Sequence, residues 1–118
     1  MASSPGGLRI AQAIEAGYAG GEPALVAFLT AGYPDRQRFE QALIAASQTA
    51  DVVEIGVPFS DPMADGVTIQ RSSAAALQDG IDLAWIFDCL DRLRGQFRLL
   101  RDPAERLECH RRAAEQWI

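Results

Sequence analysis

The chain reads as an α/β protein built on parallel strands, and three observations point there. Two runs of strand length, residues 24–30 and 52–56, are rich in apolar and β-branched residues, as strands covered on both faces are. Between them, Phe39, Ala42, Leu43 and Ala46 fall at i, i+3, i+4 and i+7, which is one face of a helix. A strand, a helix and a strand in that order give a crossover long enough for a right-handed βαβ unit.

The elements follow in order. Residues 1–7 are small, polar or Gly/Pro and are expected to be disordered. Leu8, Ile10, Ala11, Ala13 and Ile14 predict a short helix ending near Gly17, and Gly20-Gly21-Glu22-Pro23 predicts a turn. The first strand runs into Ala31-Gly32-Tyr33-Pro34-Asp35, a second turn. The helix that follows covers about 35–49, with Arg36, Gln37, Arg38, Glu40 and Gln41 on its solvent side. Past the second strand and a loop, Ile69, Ser73, Ala76 and Leu77 predict a helix closed by Asp79-Gly80, with glycine as the C-terminal cap. Asp82 then reads as an N-cap to a helix whose stripe of Leu83, Ile86, Phe87, Leu90 and Leu93 faces a core. Residues 96–100 form a weak third strand, interrupted by Arg98. Asp102-Pro103-Ala104-Glu105 has the form of a helix start, and Leu107, His110, Ala114 and Trp117 give that helix a modest face.

Composition narrows the chemistry. The chain has 118 residues, 48% of them hydrophobic, and a net charge of -5. This is ordinary globular composition, and its acidic balance gives no reason to expect nucleic acid or an anionic membrane as partner. All 11 basic residues are Arg, which excludes a Schiff-base lysine and a phosphate-loop lysine. Two cysteines, Cys89 and Cys109, and one histidine, His110, lie in no zinc-like spacing, so no metal is expected. The cysteines read as reduced, partly buried thiols. No secretory leader and no membrane-length apolar run is visible, and a cytoplasmic location is expected.

The stretch that concentrates functional groups is Val53-Glu54-Ile55-Gly56-Val57-Pro58-Phe59-Ser60-Asp61-Pro62-Met63-Ala64-Asp65-Gly66. Glu54 interrupts an apolar strand, where a carboxylate must be paired, neutralised or functional. The loop lies beyond the strand's C-terminal end, where ligands bind in α/β folds. Each residue also has a plain reading. Glu54 alone fits a salt-bridged strand residue, and Asp61-Pro62 and Asp65-Gly66 fit turns. Phe28 fits ordinary core, and Gln70 a loop anchor. Ser60 lacks the glycine context and neighbouring His of a nucleophile. Arg98, Arg101, Arg106, Arg111 and Arg112 fit a solvated face better than a phosphate site.

This stretch resembles the signature of the tryptophan synthase alpha subunit family: a branched apolar residue, Glu, an apolar residue, Gly, two residues, then Phe-Ser-Asp-Pro-x-Ala-Asp-Gly. Residues 27–35, Ala-Phe-Leu-Thr-Ala-Gly-Tyr-Pro-Asp, are similar to that family's first strand and turn, and Thr68-Ile69-Gln70 to the helix start after its catalytic loop. Val67 stands where the family usually has Pro. The resemblance covers roughly residues 8–97 and implies the N-terminal part of a (β/α)8 TIM barrel, with two to three parallel strands and their helices, the barrel incomplete. Residues 98–118 form a non-matching helical tail, as in a truncated chain or one with an altered C-terminal end.

The resemblance implies a lyase of tryptophan biosynthesis that cleaves indole-3-glycerol phosphate by a retro-aldol step to indole and glyceraldehyde 3-phosphate. Glu54 would be the general acid/base and Asp65 would hold the indole N–H. Phe28 would line the substrate pocket. The loop of Pro58, Phe59, Ser60, Asp61 and Pro62 would touch a beta subunit in an alpha2-beta2 complex. The chain would need no cofactor of its own, with pyridoxal phosphate on the beta subunit. The family's phosphate site is formed by later loops that have no counterpart here. The alternatives are an inactive remnant that at most docks on a beta subunit and, by fold analogy alone, another phosphosugar-handling barrel enzyme. A sheet of two or three strands with bare edges implies marginal stability or association through those edges.

Overall fold

The computed structural model describes residues 5–19, 21, 23–60 and 64–97. In chain order the elements are α1 (Pro5–Ala19), β1 (Val26–Thr30), α2 (Arg36–Thr49), β2 (Val52–Gly56), α3 (Val67–Gln78) and α4 (Leu83–Leu93), with a 3-10 turn at Arg94–Gln96. β1 and β2 pair in a two-stranded sheet. Its register is parallel. Asp51 and Val52 donate their N–H groups to the Leu25 carbonyl, and six residues further along Ala31 donates to Gly56. The α/β order therefore stands.

The chain divides into two compact units. In the first, which includes residues up to 27 and 46–53, α1 is mostly exposed. It starts at Pro5, so residues 5–7 are helical where composition suggested disorder. Proline is tolerated in a first turn, whose N–H groups have no helical partner anyway. Ala13 and Ile14 are half-buried, whereas Leu8 and Ile10 are exposed. Asp51 ties this unit together: its Oδ2 accepts the Leu25 N–H at 2.7 Å.

The second unit, residues 28–45 and 54–97, holds most of the buried side chains. Phe39 and Leu43 of α2, Ala76 of α3, and Ile86, Cys89 and Leu93 of α4 form its core with Ala31 and Ile81. Ala42 is exposed, although it falls on the predicted apolar face. Phe39 meets Trp85 at a ring distance of 5.9 Å, and the Arg36 guanidinium lies 5.7 Å from the Trp85 ring centre. Arg36 also donates to the Asp79 carbonyl at 2.6 Å. One arginine thus joins the start of α2 to the α3–α4 turn.

Local sequence explains the ends of these helices. Asp35 Oδ1 accepts the Arg38 N–H at 2.8 Å, and Asp82 Oδ1 accepts the Trp85 N–H at 2.8 Å. Each satisfies an otherwise orphaned N–H. α3 ends in a Schellman arrangement, with Gly80 N–H on the Leu77 carbonyl and Ile81 N–H on that of Ala76. Gly80 supplies the required left-handed backbone at φ +79°.

Two expectations need correction. The α3 face is rotated: Ser72, Ser73 and Ala76 are buried and Leu77 is exposed. The stripe on α4 also divides, with Ile86, Cys89 and Leu93 buried and Leu83 and Phe87 exposed. A third strand at 96–100 is not seen among the described residues; Gln96 closes the 3-10 turn. Residues 98–100, the helix expected from 102 and with it Cys109 and His110 lie outside the described residues.

Candidate active site

β1 and β2 expose one face. Strand alternation places Val52, Glu54 and Gly56 on the same side. A Cβ added to Gly56 would lie 2.4 Å from Phe28 Cζ, so the Phe28 ring covers Gly56 on the face that Glu54 shares. Phe28 is 45% exposed. Glu54 is also exposed, where the sequence had suggested a carboxylate enclosed by Val and Ile. The reason is alternation: Val53 and Ile55 turn to the other face. The absence of a side chain at Gly56 is what lets an aromatic ring and a carboxylate occupy neighbouring positions here.

The C-terminal end of β1 is fastened to α3. Thr30 Oγ1 and Ser72 Oγ are 2.7 Å apart and buried, and Ser72 Oγ donates to the Ile69 carbonyl at 3.0 Å. Since Ser72 has one proton and Ile69 takes it, Thr30 is the donor to Ser72. The β1–α2 turn tightens the same corner. Tyr33 N–H reaches the Thr30 carbonyl, Gly32 has φ +72°, and the Tyr33–Pro34 peptide is cis.

Asp65 is exposed at the end of the β2–α3 loop. Its backbone carbonyl accepts Gln70 Nε2 at 2.8 Å, and the Gln70 N–H donates to the Gly66 carbonyl at 3.0 Å. Gln70 is therefore a loop anchor that leaves the Asp65 carboxylate outside its own bond. Gly66 is the N-cap of α3 and offers no side-chain bond, with Val67 as the first helical residue. Along the loop, Pro58 is buried, Phe59 is 60% exposed and Ser60 is exposed; Asp61 and Pro62 lie outside the described residues. The first turns of α3 thus hold both the loop's end and the tip of β1. The spacing of Thr30 and Ser72 in sequence carries no local signal for that contact.

A second polar cluster sits between α2 and α4. Arg92 Nη2 donates to Glu40 Oε1 at 2.6 Å, and Cys89 Sγ lies 3.7 Å from the same oxygen. The Arg92 hydrogen bond holds the Glu40 carboxyl below its usual range, against the opposing effect of burial. Burial, then the Glu40 charge, push the Cys89 thiol up. That is the setting of an inert structural cysteine rather than a nucleophile. Among the described residues, no group of three or more His, Cys, Asp or Glu is placed to hold a metal ion, and no helix is long and apolar enough to cross a membrane.

The features define a class: an α/β protein of parallel βα units, with carboxylates on a strand and on the loop beyond it. Comparison with known proteins agrees. The family profile of the tryptophan synthase alpha chain matches residues 15–99. The chain is 45% identical over 91 residues to the tryptophan synthase alpha chain of Nitratidesulfovibrio vulgaris strain Hildenborough, covering 76% of this chain and 35% of that one. It is 53% identical over 75 residues to that of Geobacter sp. strain M21, covering 63% and 28% respectively. Among solved structures, a protein of Aquifex aeolicus VF5 superimposes with a TM-score of 0.68 at 38% identity, over 75% of this chain and 36% of that one. Mycobacterium tuberculosis tryptophan synthase does so with a TM-score of 0.67 at 31% identity, over 75% and 35%.

The chain belongs to the tryptophan synthase alpha chain family. Its fold is the N-terminal part of that family's TIM barrel, with two parallel strands and their helices. It spans about 35% of the length of the curated relative from Nitratidesulfovibrio.

Proposed function

We propose that this chain carries the proton-transfer half of an indole-3-glycerol-phosphate lyase site in tryptophan biosynthesis. The observation that carries the reading is the shared sheet face of Glu54 and Phe28, next to the loop that ends in Asp65. Cleavage of the C–C bond needs a proton delivered to indole C3 and one removed from the side-chain hydroxyl. Glu54 is the acid/base for these transfers. Asp65 accepts the indole N–H as positive charge develops on the ring, and Phe28 offers a flat apolar wall to the indole. Glu54 stands on a strand and Asp65 on a loop held by Gln70, so the two carboxylates approach a planar ligand from different supports. This chemistry needs no cofactor on the chain. A beta subunit holding pyridoxal phosphate would take up the indole, and the exposed loop at Phe59 and Ser60 is the surface offered to it.

A second reading is favoured by the exposure of that same face. Phe28 and Glu54 are open to water, whereas an active site for this step excludes water around the reacting carbons. In that reading the chain docks on a beta subunit without cleaving substrate. A lyase assay of the full chain with indole-3-glycerol phosphate, alone and with purified beta subunit, separates the two. Turnover that is lost in Glu54→Gln supports the first reading. No turnover, with the beta subunit's own rate altered on mixing, supports the second. Turnover unchanged by Glu54→Gln overturns the role given to that carboxylate.

A further inference from the structure

Helix α3 buries two serines and leaves a leucine out. Ser72 is 6% exposed and Ser73 4%, while Leu77 is 38% exposed. The buried arc of the helix runs from Ser72 to Ser73, with Ala76 inside it. Its most apolar arc runs from Ala76 to Leu77, with Ile69 inside it. At roughly 100° per residue the centres of the two arcs lie about 40° apart. Apolar burial alone would turn the helix until Leu77 was covered. The contact that opposes this turn is the buried hydrogen bond between Thr30 Oγ1 and Ser72 Oγ at 2.7 Å. Two apolar side chains meeting there could slide past each other, whereas a satisfied hydroxyl pair holds one geometry.

What the turn would move is the loop. α3 begins at Val67, directly after its N-cap Gly66. Gln70 ties the helix back to the loop: its Nε2 donates to the Asp65 carbonyl at 2.8 Å and its N–H to the Gly66 carbonyl at 3.0 Å. Asp65 therefore moves with the first turn of α3. A rotation of about 40° carries an atom on the Cα radius of about 2.3 Å through about 1.6 Å, and a carboxylate further from the axis through more. A misplacement of about 1 Å costs an oriented reaction on the order of a hundredfold. At the other end of the tie, Thr30 lies two residues after Phe28 on β1, and the Phe28 ring covers Gly56 on the face of Glu54.

We propose that Thr30 and Ser72 are positioning residues. Their hydrogen bond sets the rotation of α3 and so places the Asp65 carboxylate relative to the sheet face of Phe28 and Glu54. The chemical use of that placement rests on the lyase function proposed for this face; the mount itself does not.

Thr30→Val removes the donor, nearly keeps the shape and leaves Ser72 bonded to the Ile69 carbonyl, and Thr30→Ser restores a hydroxyl. Amide hydrogen exchange of the full chain is read at Gln70, whose N–H holds the loop end, and at Ile86 of α4, whose N–H bonds the Asp82 carbonyl. Thr30→Val should speed exchange at Gln70 roughly tenfold more than at Ile86, and Thr30→Ser should return the ratio to that of the parent. Equal acceleration at both amides, or none at Gln70, makes the bond ordinary core and overturns the proposal. Steady-state lyase assays with purified beta subunit read the consequence. Thr30→Val should lower kcat about tenfold or more with KM within about twofold, the mark of an interaction made in the transition state, and Thr30→Ser should keep the parent kcat. Turnover that falls in Glu54→Gln but not in Thr30→Val overturns the positioning role and leaves the lyase function standing. A parent without turnover counts against the lyase function, and the exchange ratio then decides the mount alone.

Discussion

Gly32→Ala should destabilise the chain far more than Gly80→Ala, although both glycines have nearly the same backbone. Gly32 has φ +72° and Gly80 has φ +79°. Any L side chain in this region costs about 1–2 kcal/mol. The positions differ in what a Cβ would meet. At Gly80 the nearest atom is Arg36 Nη2 at 3.8 Å, an ordinary contact with a flexible side chain. At Gly32 the Cβ would fall 2.4 Å from both Cδ1 and Cγ1 of Ile81. Ile81 is 2% exposed, so it has nowhere to swing, and overpacking of a closed site costs about 1–3 kcal/mol more. Gly32→Ala is thus expected to cost about 2–5 kcal/mol and Gly80→Ala about 1–2 kcal/mol, read by urea denaturation of the two variants and the parent. Adding Ile81→Ala removes the atoms that clash, so the double variant should lose less than the two single losses combined. Equal midpoints for Gly32→Ala and Gly80→Ala, or strict additivity in the double variant, would refute the steric argument.

Two other outcomes follow from the polar contacts. Ser72→Ala leaves the buried Thr30 hydroxyl without its acceptor, while Thr30→Val leaves Ser72 still donating to Ile69. Ser72→Ala should therefore cost about 1–3 kcal/mol and Thr30→Val about 1 kcal/mol; denaturant titration giving the reverse order would contradict the donor assignment. The Glu40 carboxyl is held below its ordinary 4.5 in the folded chain by Arg92. Its contribution is thus fully present above the unfolded value and is lost as pH falls through the lower folded value. Melts recorded from pH 6 downward to about pH 3 should show a loss of stability that Glu40→Gln reduces, and identical pH profiles would count against the pair.

The opening strands, the helix between them and the family signature were legible because their signals are local. Val52–Gly56 and the helix after Pro34 coincide with the structure to within a residue. Asp82 and Gly80 announced their caps, since a cap is settled by a few consecutive residues. Helix faces were less legible. Periodicity places Leu77, Leu83 and Phe87 on apolar stripes, but a stripe does not say how much of itself a neighbour will cover.

The chain alone determined the order strand, helix, strand and, through the signature at residues 53–66, membership of the tryptophan synthase alpha chain family, all written in adjacent residues. The tertiary structure decided which contacts join those parts. Thr30 meets Ser72 across 42 positions, and Arg92 meets Glu40 across 52. It also decided that Glu54 is open to water and that Phe28 lies over Gly56. Burial and pairing at such separations depend on how elements pack in space, and neither spacing nor composition encodes that packing.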